Sequence, residues 1–90
     1  MKTLEIVHLR SSGESLETLS DLIKESIWAD GNGTEVVTVF RRSGLNTDVA
    51  VHIHNQNADG GNGPNVLAVQ LAAALRVFGL VEHTVWEEMP

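Results

Sequence analysis

The segment EVVTVFRRSGLNTDVAVHIH, from Glu35 to His54, contains two strand-like runs joined by a short polar loop. Residues 35–42 are rich in β-branched and aromatic side chains, which favour extended structure. Residues 43–47 contain the Ser, Gly and Asn that are typical of a hairpin loop. Apolar residues then alternate with polar or small ones over 48–54, which is the period of a strand with one buried face. The segment therefore predicts an antiparallel hairpin.

A strand and a helix precede this hairpin. Alternation over residues 3–10 predicts a first strand. Ser11 and Glu14 have capping-box spacing, and Ser12 is an alternative cap, so we expect a helix to begin near them. Leucine and isoleucine then recur at spacings of three and four, with charged residues between them, which predicts an amphipathic helix. This helix should end at the Asp, Gly and Asn of residues 30–33.

A second helix and a fourth strand follow the hairpin. Residues 55–63 have the composition of a loop, and Pro64 suits the first turn of a helix because it has no amide proton to pair. The helix predicted over 65–78 is apolar around almost its whole circumference, with Gly79 as its C-terminal cap. Alternation over residues 80–89 predicts the last strand.

The order strand, helix, strand, repeated once, predicts a single ferredoxin-like α+β domain over residues 1–90. In that fold a four-stranded antiparallel sheet carries both helices on one face, and the first and third strands lie in its centre. Each strand then has a side that faces the helices and a side on the open face. If the third strand turns its valines and isoleucine toward the helices, three of its residues point to the open face: Ala50, His52 and His54.

The sequences of the other three strands leave their parity open, that is, whether the odd-numbered or the even-numbered residues face the helices. The candidates for the open face on these strands are Val7, Leu9, Thr38, Phe40, Thr84 and Trp86. A face with so many apolar side chains would need a cover, because a small monomer rarely exposes a large contiguous apolar patch.

Composition excludes several classes of protein. Hydrophobic residues make up 42% of the chain and charged residues 20%, which is ordinary globular usage. Six Lys and Arg against twelve Asp and Glu give a net charge of −6, so nucleic acid is not an expected partner. The chain has no cysteine for disulfides, thiolate metal sites or thiol nucleophiles. It also lacks an apolar run of about 18 residues or a signal-peptide pattern, so we expect a cytoplasmic protein that does not bind membranes.

The second helix indicates self-association. Between its ends, Gln70 and Arg76 are its polar residues, which leaves too little polar surface to face water on one side of a small monomer. We therefore expect a homodimer or a higher homo-oligomer, formed through the open face of the sheet and this helix.

The length, the βαββαβ order and the partly apolar open face resemble those of the dimeric α+β-barrel proteins. The resemblance covers residues 3–89 and rests on the order of the elements, without a shared sequence motif. It implies that two ferredoxin-like subunits pack sheet against sheet. The group includes antibiotic-biosynthesis-type monooxygenases and stress-responsive barrel proteins, and the resemblance carries over no catalytic residue from either.

His52 and His54 are the strongest candidates for a chemical site. Residues two apart on a strand point the same way, so the two imidazoles could hold one metal ion or one substrate. Asp48 lies on the same face, and His8 and His83 would join the cluster if the parity of their strands matches. Three interpretations stay open: a catalytic site of His52, His54, His8 and Asp48 that exchanges protons near neutral pH, a metal site at His52 and His54, or half-buried imidazoles within a dimer interface.

No cofactor is predicted. Residues 55–60 match the opening of an EF-hand loop, but Val66 stands where a bidentate Glu should complete the calcium site. The sequence contains no Walker loop, dinucleotide fingerprint or nucleophile elbow. The glycine-rich segment before the second helix is either a connector or an anion site at the helix N-terminus.

Two pairs of residues have more than one interpretation. Arg41 and Arg42 end the second strand, where they would either be solvated and discourage edge-to-edge pairing or form salt bridges to the acidic tail of a partner subunit. Trp28 and Trp86 would either fill the core and the interface or line an apolar pocket.

Two functional hypotheses follow. The first is a non-catalytic assembly or small-ligand-binding protein, because no nucleophile or cofactor motif is present. The second is a cofactor-independent enzyme, monooxygenase-like or isomerase-like, that acts on a small organic substrate with a histidine as proton shuttle. Metal binding through His52 and His54 is a weaker alternative.

Overall fold

The computed structural model describes the following residues of the chain: 2–13, 15–30, 35–45, 47–55 and 65–89. Their elements, in chain order, are β1 (Thr3–Ser11), α1 (Leu16–Asp30), β2 (Glu35–Arg41), β3 (Asp48–Asn55), α2 (Val66–Leu75) and β4 (Gly79–Glu87). A short 3₁₀ turn, Arg76–Phe78, joins α2 to β4. The strand and helix types match the sequence predictions, and the bounds differ by a few residues.

The four strands form one sheet in the order β2-β3-β1-β4. Each neighbouring pair is antiparallel. β1 and β3 are therefore central and β2 and β4 are the edges, as predicted for the ferredoxin-like α+β fold. β2 and β3 form the predicted hairpin, closed by a turn in which Gly44 has a φ of 81° and the amide of Leu45 donates to the carbonyl of Arg42 at 3.2 Å.

The core lies between the sheet and the two helices. Alternate residues of β1 and β3 point into it and are joined there by side chains of both helices: Val7, Leu9, Leu19, Ile23, Val49, Val51, Ile53, Leu67, Ala68, Leu71, Ala72 and Leu75. Val7 and Leu9 were candidates for the open face, and that assignment is wrong. Each pairs in register with a core valine of β3, so the inward side of β1 is its odd-numbered side.

Ser15 caps α1. Its Oγ accepts a hydrogen bond from the amide of Thr18 at 3.1 Å, which satisfies a donor that the first helical turn would otherwise leave unpaired. Neither predicted cap has this role, because β1 continues one residue beyond its predicted end. Ser11 is its last residue, and the Ser12 hydroxyl donates to the carbonyl that ends the 3₁₀ turn. Glu14 lies outside the described residues.

α2 begins after Asn65, whose side-chain oxygen accepts a hydrogen bond from the amide of Leu67 at 2.7 Å. The α-helix ends at Leu75, and the last three residues of the predicted helix form the 3₁₀ turn instead. Pro64 lies outside the described residues. Val66, Val69 and other residues on one side of α2 are exposed, so the helix is covered by the protein's own core on one side and uncovered on the other.

The open face of the sheet also exposes large apolar side chains. Val36 and Phe40 are each 49% exposed, Trp86 is 57% exposed and Leu80 is 75% exposed. Trp28, by contrast, lies on α1 and is 92% exposed, so it fills neither the core nor a pocket. Among the helices of the described residues, none has the length and apolar character needed to cross a membrane.

Gly79 permits the close approach of β4 to β1. It follows the 3₁₀ turn, as predicted for a cap, and is also the first residue of β4. A Cβ atom at this position would collide with the carbonyl oxygen of Arg10. The contact is with backbone, which cannot rotate away, so the position requires glycine.

We expect Gly79→Ala to lower the free energy of unfolding by at least about 2 kcal/mol, because the strand pair must separate locally. Gly44→Ala is the matched control: its φ is also positive, but nothing lies within 4 Å of an added Cβ, so it should cost about 1 kcal/mol of backbone strain. Urea unfolding of both variants measures the difference. Equal losses would show that the close contact at Gly79 does not limit stability.

Candidate functional site

The open face is formed by the even-numbered residues of all four strands, because the register pairs even with even throughout the sheet. Its members are Leu4, Ile6, His8 and Arg10 from β1, Val36, Thr38 and Phe40 from β2, Asp48, Ala50, His52 and His54 from β3, and Leu80, Glu82, Thr84 and Trp86 from β4. The four candidate site residues His8, Asp48, His52 and His54 therefore share one face, as the sequence predicted for those on β3.

His8 and Asp48 form the polar centre of this face. The Nε2 atom of His8 lies 3.1 Å from Oδ2 of Asp48, and the hydroxyl of Thr47 donates to the other carboxylate oxygen at 3.1 Å. The Asp48 side chain is 3% exposed and that of His8 is 39% exposed. The carboxylate is thus buried and the imidazole reaches the surface. Asp48 therefore orients the His8 ring, and the ring is still accessible to a ligand.

Two arginines lie beside the same carboxylate. Arg10 Nε is 3.8 Å from Oδ1 of Asp48, and Arg42 Nη1 is 3.6 Å from Oδ2. Burial alone would raise the pKa of the Asp48 carboxyl, but the hydrogen bonds from His8 and Thr47, together with nearby positive charge, outweigh burial and lower this pKa below its usual value. Asp48 is therefore ionised at neutral pH.

The ionised state of Asp48 fixes the tautomer of neutral His8. A carboxylate accepts hydrogen bonds and cannot donate them, so the Nε2 atom of His8 must carry a proton to bond to it. The lone pair of the neutral imidazole is then on Nδ1, on the other side of the ring from Asp48. In this state His8 can accept a proton from a ligand, and the imidazolium that results would be stabilised by Asp48.

Two clefts border His8. One has a volume of about 370 Å³ and lies between β1, β3 and the end of β2; its apolar lining includes Ile6, Phe40 and Ala50. The other has a volume of about 430 Å³ and lies toward β4, where Leu80 and Glu82 line it. Both volumes are in the range of sites that bind small organic molecules. His8 is thus shared by two surface clefts, one with a mainly apolar wall and one with a mixed polar and apolar wall.

His52 and His54 lie further along the same face. The ring of His52 stands 4.7 Å, centroid to centroid, from that of Phe40. Across the described residues, neither His52 nor His54 has a hydrogen bond or an ion pair to another side chain. No group of three or more metal-ligating side chains is found in the part of the chain that the structure describes. The catalytic role predicted for these two histidines stays a prediction.

His83 lies on the opposite side of the sheet, beneath the helices. Its Nε2 atom is 2.9 Å from Oε1 of Glu5, and the Glu5 side chain is 1% exposed. Glu5 also accepts hydrogen bonds from the amide of Asn65, at 2.8 and 3.0 Å to its two oxygens, and from Nδ2 of Asn55 at 3.0 Å. His83 therefore belongs to an internal polar network and cannot join His8 on the open face.

The sequence analysis missed this network. Glu5 lies on the same side of β1 as the inward residues Val7 and Leu9. A carboxylate among core positions indicates that a polar partner is buried with it. Asn55 and Asn65 were treated as loop and helix-end residues, because their distance of ten positions in the chain gives no indication that they meet. The glycine-rich segment between them, with its predicted anion site, lies outside the described residues, as does most of the EF-hand-like segment.

The fold has a known counterpart. The chain is similar to the crystal structure of a single-residue mutant of SnoaB, a cofactor-independent oxygenase from Streptomyces nogalater, with a TM-score of 0.66 and 14% sequence identity. The match covers 99% of this chain and 94% of the SnoaB chain. No protein-family model and no curated protein sequence matches the chain. The similarity confirms the ferredoxin-like α+β fold expected from the order of the elements.

The lowered pKa of Asp48 predicts how this site affects stability against acid. A carboxyl with a lower pKa in the folded state contributes stability that is fully present above its unfolded pKa of about 3.9, and that is lost as the pH falls through the folded value. Asp48→Asn should therefore be less stable than the wild type at about pH 6, and the difference should shrink below about pH 4.

Urea unfolding over this pH range measures the difference. Glu82→Gln is the control, because Glu82 is an exposed carboxylate on the same face and its replacement should change stability by less than about 0.5 kcal/mol. If Asp48→Asn were destabilised equally at all pH values, the loss would not come from the charge of Asp48, and the lowered pKa of this carboxyl would be contradicted.

Proposed function

We propose that the protein binds a small, partly apolar organic molecule on the open face of its sheet and exchanges a proton with it through His8, without a cofactor. The observation that carries this proposal is the His8 and Asp48 pair, which is held at 3.1 Å and borders two clefts of suitable volume. The proposal assigns the proton shuttle to His8, since Asp48 orients this ring and stabilises its charged form.

The chemistry is general base catalysis. Nδ1 of His8 would take a proton from an acidic O–H or C–H group of the substrate, which leaves the electron pair of the broken bond on the substrate as an anion. Asp48 would stabilise the imidazolium, and the positive charge of Arg42, which lines the 370 Å³ cleft, would favour the substrate anion there. Return of the proton to another atom would complete an isomerisation.

The similarity to SnoaB supports a reaction of this class. SnoaB is a cofactor-independent oxygenase, and an enzyme without a cofactor must obtain its reactivity from the substrate and from its own side chains. Deprotonation is a way in which a side chain makes an organic substrate more reactive. The composition, with no cysteine, requires no oxidising compartment, and we propose that the protein acts in the cytoplasm.

The proposal predicts that His8→Gln loses at least about 100-fold in turnover, the usual contribution of a general base. The assay follows substrate depletion and oxygen uptake with a panel of small phenols and enolisable ketones, whose acidic protons an imidazole can remove. His54→Gln is the matched control, because His54 lies on the same face without a carboxylate partner in the described residues. An equal loss in both variants, or a loss only in His54→Gln, would contradict the assignment to His8.

A second copy of the chain is the proposed cover of the open face. Val36, Phe40, Leu80 and Trp86 are each about half exposed or more on this face, and burying them against the same residues of a partner would stabilise a dimer by the hydrophobic effect. The clefts beside His8 would then lie between two sheets, where water is excluded. The exposed side of α2 could serve a higher assembly.

The two tryptophans of the chain test this arrangement. Trp86→Asp should shift the protein to a monomer, because a lone charge in an apolar contact is costly to bury. Trp28→Asp should leave the assembly unchanged, since Trp28 lies on α1, away from the open face. Analytical ultracentrifugation over a concentration series measures both. A wild-type monomer, or an unchanged oligomer in Trp86→Asp, would overturn the proposed interface.

A non-catalytic assembly or ligand-binding protein is the second candidate. The extent of exposed apolar surface on the sheet and on α2 favours it, because an oligomer would bury this surface whether or not a reaction takes place. Binding of panel compounds beside His8 with no turnover by the wild type would favour this candidate over the enzyme.

A further inference from the structure

We infer that the ligand of the 370 Å³ cleft is an organic anion, with a planar acidic group such as a carboxylate or enolate on an aromatic or other apolar body. This inference rests on the proposed ligand site and adds the chemical class of its occupant. It is carried by the arginines around the cleft, by their unused hydrogen-bond donors and by the apolar lining next to them.

Two of the chain's arginines, Arg10 and Arg42, come together at this end of the sheet. Arg42 lines the cleft, and Arg10, which lines the neighbouring cleft, approaches the other oxygen of the same Asp48 carboxylate. Arg10 belongs to β1 and Arg42 follows the last residue of β2, and these two strands are not neighbours in the sheet, so the fold itself gathers them. In a chain with a net charge of −6, this concentration of positive charge would attract an anion to one place.

The carboxylates around the cleft balance part of this positive charge. Asp48 is the carboxylate among the described residues that line the cleft, and it faces both Arg10 and Arg42 as well as His8. Glu82, a second carboxylate on this face, stands opposite His8 in the register and lines the other cleft together with Arg10. Asp48 thus balances one of the two charges of Arg10 and Arg42, and Arg42 lines this cleft.

The hydrogen-bond donors of these arginines are also unused. Arg10 and Arg42 approach Asp48 at 3.8 and 3.6 Å, which is beyond hydrogen-bond distance. In the part of the chain that the structure describes, neither the guanidinium group of Arg10 nor that of Arg42 donates a side-chain hydrogen bond. A guanidinium presents a planar fork of N–H groups that matches a carboxylate in two parallel bonds, so the free forks fit a planar anion.

The rest of the cleft fits an apolar body. Ile6, Phe40 and Ala50 line it next to the arginines, and the ring of Phe40 is half exposed and available for stacking. A neutral apolar molecule would use this wall and leave the guanidinium groups without a partner. An inorganic anion would use the guanidinium groups and leave the wall in water. An aromatic or similar apolar anion uses both.

The test compares naphthoate with naphthamide, which have the same ring system and differ in charge. Titration of the isotopically labelled protein at low salt, followed by the backbone amide shifts of His8, Phe40 and Ala50, gives the affinity of each compound. We expect naphthoate to bind at least about tenfold more tightly than naphthamide, the effect of one charge-assisted hydrogen bond. Arg42→Gln should remove this preference.

Arg76→Gln is the matched control, because it removes the same charge from the 3₁₀ turn, where the arginine lines neither cleft. Equal binding of the two compounds at these amides would overturn the anion class and leave the proposed ligand site intact. Equal weakening by Arg42→Gln and Arg76→Gln would also overturn it, since the effect would then be that of net charge alone. No binding of either compound beside His8 would count against the anion class and against the ligand site itself.

Discussion

A single buried carboxylate joins the elements on which this fold depends. Glu5 lies near the start of β1, on its inward side. It receives hydrogen bonds from the last residue of β3 and from the residue that precedes α2, and His83 of β4 contacts it as well. A buried carboxylate without such partners would cost several kcal/mol. The cost is avoided only when β1, β3, α2 and β4 take their observed positions together, so the network fixes where α2 begins above the sheet.

The two faces of the sheet use the same chemical pair for different purposes. On the helix side, Glu5 and His83 are enclosed by core side chains and hold elements together. On the open side, Asp48 is enclosed but His8 is partly exposed, so the imidazole is positioned and still accessible. The difference in exposure of the two histidines separates a structural role from a candidate chemical one.

The open face combines positive charge at one end with apolar side chains along its length. Arg10 and Arg42 stand beside Asp48 at the end of the sheet where β1 and β2 finish, and Trp86 lies toward the opposite end, next to Leu4 in the register. A molecule or a partner subunit that covers this face must contact both the charged end and the apolar side chains. This requirement connects the proposed ligand, which needs the charged end, with the proposed second subunit, which would bury the apolar remainder.

The sequence by itself determined the order and type of the elements and the common direction of Asp48, His52 and His54. These features depend on local spacing, since the period of two in a strand and the spacing of three and four in a helix are set by backbone geometry. It did not determine which side of β1, β2 and β4 faces the helices, because both sides of these strands carry apolar residues. Only the tertiary structure decided that His8 meets Asp48, that His83 turns inward to Glu5, and that Arg10 and Arg42 approach the same carboxylate. These contacts join residues distant in the chain, and their geometry comes from the register between strands, which no local pattern contains.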